Sequence, residues 1–141
     1  MPALHDSRVT IHQLEEWGRD LGGELKPPAI VTLEGDLGAG KTTLAKAICA
    51  GVGVASDVTS PTFSLVNLYE VDDTTVYHLD LYRLRGPDDL TNLGWDDIVN
   101  SDSIVMIEWP ERAAGRLPAD AIRIRLEHIP GDESRRRLTV L

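Results

Sequence analysis

Residues 35–42 read Gly-Asp-Leu-Gly-Ala-Gly-Lys-Thr and fit the pattern G-x-x-x-x-G-K-[ST] at every fixed position. The glycines at 35, 38 and 40 allow a tight turn and a close approach that a Cβ would block, so several backbone N–H groups can face phosphate oxygens. Lys41 would reach the β- and γ-phosphates, and the Thr42 hydroxyl would be placed to bind Mg²⁺. The stretch predicts a binding loop for a nucleoside triphosphate.

The residues on either side of this loop supply the context that the pattern requires. Residues 29–34 are apolar and β-branched, which is typical of a buried parallel strand, and residues 43–50 are rich in helix formers. A helix beginning near Gly40 would also turn its unpaired amides and positive dipole end toward the β-phosphate. The alternative is a glycine-rich turn between a strand and a helix with an incidental Lys-Thr pair.

Two carboxylates are candidates for chemistry beside the loop. Four apolar residues precede Glu108, as in a buried strand that delivers an acid to a metal ion, and we expect Glu108 to act through Mg²⁺ or its water shell. Asp80 would lie at or just past the carboxyl end of a strand, at the edge where open α/β sheets place their chemistry. Asp80 alone is also typical of a turn, and His78 alone is more typical of a structural histidine than of a catalyst.

The remaining elements follow from periodicity and capping. Thr10 and Gln13 have capping-box spacing, which predicts a helix over residues 11–22 that ends at Gly22 and Gly23. The other predicted elements are a helix over 41–50, a hairpin over 65–71 and 75–82, one or two helices over 87–99, a strand over 103–108, and a hairpin over 121–129 and 135–141. Together they predict an α/β fold, a P-loop NTPase-like mixed sheet flanked by helices with antiparallel hairpins added, in one domain over residues 1–141.

Several residues and segments allow more than one interpretation. Residues 56–64 are hydroxyl-rich and form either a plain surface connection or a loop that senses the γ-phosphate and Mg²⁺. Trp17, at helical spacing, is expected in the core, whereas Trp109 could fill the core, contact a partner or neighbour the nucleotide. The run Arg135 to Arg137 is either a solvated face or a source of one arginine for phosphate or RNA.

Composition limits the classes of function. In 141 residues, 14 basic and 23 acidic side chains give a net charge of −9, which argues against non-specific nucleic-acid binding through a basic face. The single cysteine, Cys49, cannot form an internal disulfide and is expected in the core, which favours a reducing cytoplasm. With no long apolar run and no signal-peptide pattern at the N-terminus, we expect a soluble cytoplasmic protein without membrane association.

Features that the sequence lacks indicate which nucleotide is bound and which class of enzyme this is. The Asn/Thr-Lys-x-Asp run of guanine-specific GTPases does not occur, which favours ATP. Only 33 residues follow Glu108, too few for the second substrate-binding lobe of an ordinary kinase. An ATPase is therefore the first hypothesis, a self-contained small-molecule kinase the second, and a nucleotide-dependent binding module with incidental hydrolysis the third.

Four blocks, residues 35–44, 60–65, 77–84 and 107–111, resemble in order and spacing the TsaE (YjeE) family of small bacterial ATPases in tRNA threonylcarbamoyladenosine biosynthesis. The resemblance covers nearly the whole chain. It implies cooperation with TsaB-like and TsaD-like proteins, which transfer the threonylcarbamoyl group to adenosine 37 of tRNA. The ATPase would support turnover of that complex, would contact tRNA indirectly through it, and would be weak in isolation. Its oligomeric state alone stays open.

The resemblance also implies roles for individual residues. Lys41 would lie on the phosphates, Asp80 at the hydrolytic centre, Glu108 in the Walker B role, and residues 60–63 would form a switch-like loop. The metal ligands would be Thr42 and Glu108. The full set of expected ATP contacts is Thr10, Ile11, Gly38, Ala39, Gly40, Lys41, Thr42, Thr43, Trp109 and Glu111.

Overall fold

A computed structural model of the chain describes residues 6–58, 65–113 and 115–141. These residues form a seven-stranded mixed sheet, in the order β1-β7-β6-β2-β5-β4-β3, with helices on both faces. The strands are β1 (Asp6–Thr10), β2 (Ala29–Glu34), β3 (Val66–Val71), β4 (Thr74–Asp80), β5 (Ile104–Glu108), β6 (Ile122–Ile129) and β7 (Asp132–Val140). The helices are α1 (Ile11–Glu24), α2 (Lys41–Val52), α3 (Pro87–Leu93), α4 (Trp95–Val99) and a 3₁₀ turn (Pro110–Ala113).

The centre of the sheet is parallel and the additions at its two sides are antiparallel hairpins. β2 runs parallel to both β5 and β6, and β5 runs parallel to β4. Carboxyl ends of parallel neighbours meet at one edge of a sheet. That edge brings together the loop that follows β2, Glu108 at the end of β5 and Asp80 at the end of β4, with Asp80 directly opposite Glu108 in the register. The mixed α/β fold expected from the sequence is confirmed.

Alternating side chains of the central strands supply two separate cores. On one face, residues such as Val76 and Met106 join a cluster with α1 and α2. On the other face, residues such as Leu79 and Ile107 join a cluster with α3, α4 and the 3₁₀ turn. Within the described part of the chain, no helix combines the length and the apolar character needed to cross a membrane.

Three sequence expectations about element boundaries were wrong. β1 was missed altogether, because it is a short edge strand that β7 specifies by pairing rather than by an apolar pattern of its own. β4 ends at Asp80, not at residue 82, and β7 begins at Asp132, so the turn of the last hairpin is shorter than expected. The block at residues 60–63 lies outside the described residues.

The first helix begins as predicted but ends later. The capping box is present, with the Thr10 N–H donating to Gln13 Oε1 over 2.9 Å and the Gln13 N–H donating to Thr10 Oγ1 over 3.2 Å. The expected stop at Gly22 and Gly23 was wrong, because α1 continues through both to Glu24. Tertiary packing overrides the low helix propensity of glycine here.

Glycine is needed within α1 because the backbones of α1 and α2 approach each other closely. A Cβ added to Gly22 would lie 2.1 Å from the carbonyl oxygen of Ile48, and one added to Gly51 would lie 2.1 Å from that of Arg19. Neither partner atom is a flexible side chain that could move aside. These two glycines therefore set the distance between the helices, and α2 carries the loop lysine at its start.

Substituting Gly22 by alanine should destabilise the fold by about 1–3 kcal/mol, because the new methyl group meets backbone rather than space. Gly23→Ala is the matched control, since its Cβ would be 3.9 Å from the nearest atom and alanine favours the helix by up to about 1 kcal/mol. Urea unfolding of both variants and the wild type measures the difference. Equal stability of the two variants would contradict the packing argument.

Candidate active site

The glycine-rich loop joins β2 to α2 through backbone conformations that favour glycine. Gly35, Gly38 and Gly40 have φ angles of +148°, +77° and +109°. A Cβ at Gly35 would lie 2.3 Å from the carbonyl oxygen of Leu126, so the loop also lies directly against β6. Gly40 is the N-cap of α2, whose first N–H groups lack partners within the helix and can bind an anion. The loop therefore fits a phosphate cradle.

Lys41 is the cation at the centre of this site. Its side chain is buried, its Nζ donates to the carbonyl oxygens of Gly35 and Asp36, and it lies 3.7 Å from the ring centroid of Trp109. Burial lowers the pKa of the Lys41 amine, although neighbouring carboxylates oppose that shift. The opposing carboxylates are Glu108, Glu111, Asp80 and Asp36.

Glu108 connects the end of β5 to the start of α2. Glu108 is buried, with 2% of the residue exposed, and its Oε1 accepts a hydrogen bond from the Thr42 hydroxyl over 3.1 Å. Its Oε2 lies 2.6 Å from Nε2 of His78, which comes from β4. Three segments of the chain thus meet at one carboxylate, as the sequence predicted for Thr42 and Glu108 but not for His78.

Asp80 lies beside this carboxylate at the end of β4. Its Oδ1 accepts a hydrogen bond from the backbone N–H of Tyr82 over 3.0 Å, which is the geometry of a turn residue. Burial raises the pKa of the Asp80 carboxyl, and the nearby charge of Glu108 adds to the shift. Asp80 is therefore both the turn residue and the edge carboxylate that the sequence left as alternatives.

Trp109 turns back over the loop because of an unusual backbone. Its φ of +58° lies in the left-handed region, which a bulky residue rarely adopts. The turn places the indole next to the Lys41 amine and 4.9 Å from the ring centroid of Tyr82. Trp109 packs against the second core and also lines the cleft, and its contact with a nucleotide or a partner stays a prediction.

These side chains surround an open cleft of about 330 Å³. The sequence-predicted residues that line it are Gly38, Gly40, Lys41, Thr42, Thr43, Asp80, Glu108 and Trp109. Leu37 and Tyr82 also line it and were missed, since an exposed apolar residue in a loop and an aromatic residue in a turn carry no signal of their own. The structure therefore brings most of the predicted site into one place.

The other expected ATP contacts lie away from the cleft lining. Ala39 is a loop residue whose side chain is buried, and Glu111 lines an adjoining pocket together with Gly35. The Thr10 side chain is used in the cap of α1, and Ile11 is exposed at the start of that helix. Their contact with adenine stays a prediction.

The last hairpin also touches the loop. His128 Nε2 lies 3.2 Å from the carbonyl oxygen of Leu37, and Arg136 donates to the carbonyl oxygen of Gly38 over 3.4 Å. The neighbouring arginines instead meet carboxylates, Arg135 with Asp132 and Arg137 with Asp6. Within the arginine run, Arg136 therefore contacts the loop and the other two arginines form ion pairs. Contact of the run with phosphate or RNA stays a prediction.

The donor set of the cleft fits Mg²⁺ shared with a phosphate. Mg²⁺ prefers oxygen ligands and is usually held by one or two carboxylates plus phosphate oxygens rather than by an all-protein cage. The Thr42 hydroxyl and the Glu108 carboxylate are oxygen donors within hydrogen-bond distance of each other at the helix start. Among the residues that the structure describes, no group of three His, Cys, Asp or Glu side chains could hold a metal by itself.

An α/β sheet whose central strand leads through a glycine-rich loop into a helix is a P-loop-like fold, and the crystal structure of Bacillus subtilis YdiB shares it. The two structures superpose with a TM-score of 0.80 at 27% sequence identity, over 96% of this chain and 82% of that one.

The chain belongs to the TsaE family. The sequence profile of threonylcarbamoyl adenosine biosynthesis protein TsaE matches residues 9–138. The resemblance seen in the four sequence blocks is thereby confirmed.

Relatives from distant bacteria agree with this assignment, and each is named tRNA threonylcarbamoyladenosine biosynthesis protein TsaE. The Haemophilus influenzae relative is 44% identical over 70% of this chain, a match that spans 63% of the relative and thus less than two thirds of it. The Treponema pallidum relative is 36% identical over 88% of this chain and 90% of the relative.

Asp80→Asn should raise stability at neutral pH. Because burial raises the pKa of Asp80 in the folded protein, the folded state holds this proton more tightly than the unfolded chain, and stability falls as pH rises through that window. Asparagine carries no charge and can still accept the Tyr82 N–H. Thermal melts of both proteins should differ most at neutral pH and converge as the pH falls below the ordinary pKa of an aspartate. A difference that grew on acidification would contradict the assigned shift.

Proposed function

We propose that this protein binds Mg²⁺–ATP in the cleft and hydrolyses it, as the ATPase subunit of a tRNA-modifying assembly. One observation carries the proposal: the Thr42 hydroxyl at the start of α2 meets the Glu108 carboxylate at 3.1 Å, with Lys41 and Asp80 in the same cleft. A loop alone supports nucleotide binding. A loop, a metal-type carboxylate and a second carboxylate together support hydrolysis.

The charges around the loop favour a nucleotide that arrives with its metal ion. Four carboxylates act on the single buried amine of Lys41, so a bare triphosphate would meet a net negative site. Thr42 and Glu108 would hold a divalent cation whose charge offsets that repulsion. When bound, Mg²⁺ neutralises charge on the phosphates.

Each group that lines the cleft has a separate role in the proposed hydrolysis. The loop amides and Lys41 hold and neutralise the phosphates, while Thr42 and Glu108 hold the metal. Asp80 orients the attacking water and accepts its proton. Its pKa, raised by burial, makes Asp80 a stronger base than an ordinary aspartate.

The family assignment supplies the wider setting. We place the ATPase activity in threonylcarbamoyladenosine biosynthesis because the matched profile and the relatives carry that description. TsaB-like and TsaD-like proteins would carry out the transfer, and tRNA would be contacted through them. The net charge of −9 supports this division, since an acidic protein does not bind a polyanion well by itself.

Lys41→Ala should reduce kcat/KM for ATP by about 100-fold or more, because the phosphates lose their only buried cation from the loop. Lys46→Ala is the control: it lies in the same helix, is exposed and does not line the cleft. Isothermal titration with Mg²⁺–ATP and a phosphate-release assay measure both variants. Wild-type binding and hydrolysis by the Lys41 variant would refute the site assignment.

Asp80→Asn should retain ATP binding and lose repeated rounds of tRNA modification when the chain is combined with TsaB-like and TsaD-like proteins and tRNA. Asp88→Asn, an exposed carboxylate in α3, is the control and should behave as wild type. Modified nucleoside per complex, counted over many turnovers, is the measurement.

Two results would overturn the proposal, one from this reconstitution and one from the chain incubated alone with ATP and candidate metabolites. Repeated rounds supported by a non-hydrolysable ATP analogue would favour a nucleotide-dependent binding module. Stoichiometric phosphorylation of a metabolite, without dependence on partners, would favour a small-molecule kinase.

A further inference from the structure

His78 is a buried titratable residue to which the hydrolysis scheme assigns no role. It lies on β4 two residues before Asp80, so the two side chains leave the strand on the same face. The whole side chain is inaccessible to solvent, and its cross-strand neighbours are Asn67 on β3 and Met106 on β5. From there its Nε2 reaches Oε2 of Glu108 over 2.6 Å.

The hydrogen bonding of this imidazole is one-sided. Nδ1 is buried and makes no hydrogen bond, while Nε2 makes a short one to a carboxylate. Because a carboxylate is a hydrogen-bond acceptor, we assign Nε2–H of His78 as the donor of this bond. Leaving Nδ1 unsatisfied costs stability that an apolar residue at this place would avoid. Packing alone therefore does not account for a histidine here, whereas a hydrogen bond to Glu108 does.

We propose that His78 is a positioning residue for the metal-binding carboxylate of Glu108. The Nε2–H group fixes Oε2 at 2.6 Å, and Oε1 is the carboxylate oxygen nearer to the Thr42 hydroxyl, at 3.1 Å against 3.4 Å for Oε2. Groups that hydrogen-bond to metal ligands fix the ligand's orientation and commonly change metal affinity 10- to 100-fold. The inference rests on the proposed function, because it presumes that Glu108 takes part in binding Mg²⁺.

Three substitutions separate positioning from packing. His78→Gln keeps an N–H donor at the same number of bonds from the backbone as Nε2, His78→Asn carries its donor one bond short, and His78→Leu fills the space without a donor. If His78 served only the core, His78→Leu would retain the most stability and no variant would change metal affinity. If His78 is the donor to Glu108, His78→Gln retains the highest metal affinity of the three, whatever its stability.

The test measures binding of Mn²⁺ to the ATP complex of each variant by electron paramagnetic resonance, with thermal melts to establish folding. We expect the Asn and Leu variants to bind Mn²⁺ about 10- to 100-fold more weakly than wild type, and the Gln variant to recover most of that loss. ATP affinity in EDTA should be unchanged in all three, because no phosphate contact is altered. If the Leu variant does not fold, the Asn and Gln pair decides.

Three results would overturn the inference. The first is wild-type Mn²⁺ affinity in the folded His78→Asn variant, and the second is Mn²⁺ affinity in His78→Gln as weak as in His78→Asn. The third is an additive loss of Mn²⁺ affinity when His78→Asn is made in the Glu108→Gln background, where we expect no further loss. Failure of the proposed function would give a different result, because the wild type itself would then not bind Mn²⁺ and ATP together.

Discussion

A carboxylate buried at the edge of a sheet needs hydrogen bonds to replace the water that it has lost, and Glu108 obtains them from two distant parts of the chain. Thr42 contributes from the first turn of α2, and His78 contributes from β4. The loop, the helix and two parallel strands are therefore tied to one oxygen pair. A shift of β4 by one residue would reverse its faces and withdraw both His78 and Asp80 from that pair.

Contacts of the elements on either side of the loop fix its two ends. Beneath it, Glu34 at the end of β2 pairs with Arg123 over 2.8 Å and Arg125 over 3.3 Å, both on β6. Behind it, α1 lies against α2 at the distance that Gly22 and Gly51 permit. The loop thus begins on a strand with paired neighbours on both sides and ends on a helix fixed by backbone contact. A site that must hold charged groups in place is built here on rigid elements rather than on free loops.

Local patterns were enough to predict what is local. The strand at residues 29–34, the cap of α1 and the loop conformation depend on residues adjacent in sequence, and the structure matches those predictions. What sequence reasoning missed depends on distant neighbours. Gly22 stays helical because of α2, β1 exists because of β7, and His78 meets a carboxylate thirty residues away. The sequence near each of these residues gives no information about the distant partner that determines its structure.

The left-handed backbone at Trp109 has a consequence for how this position tolerates change. Glycine or asparagine would suit a φ of +58° better than tryptophan does, so the backbone and the side chain make opposed demands at one residue. A strained residue of this kind costs on the order of 1–3 kcal/mol and persists only where its surroundings determine it. Here those surroundings are the second core, the Tyr82 ring and the Lys41 amine, so the packing of the indole on both sides holds the backbone in a conformation that a tryptophan disfavours.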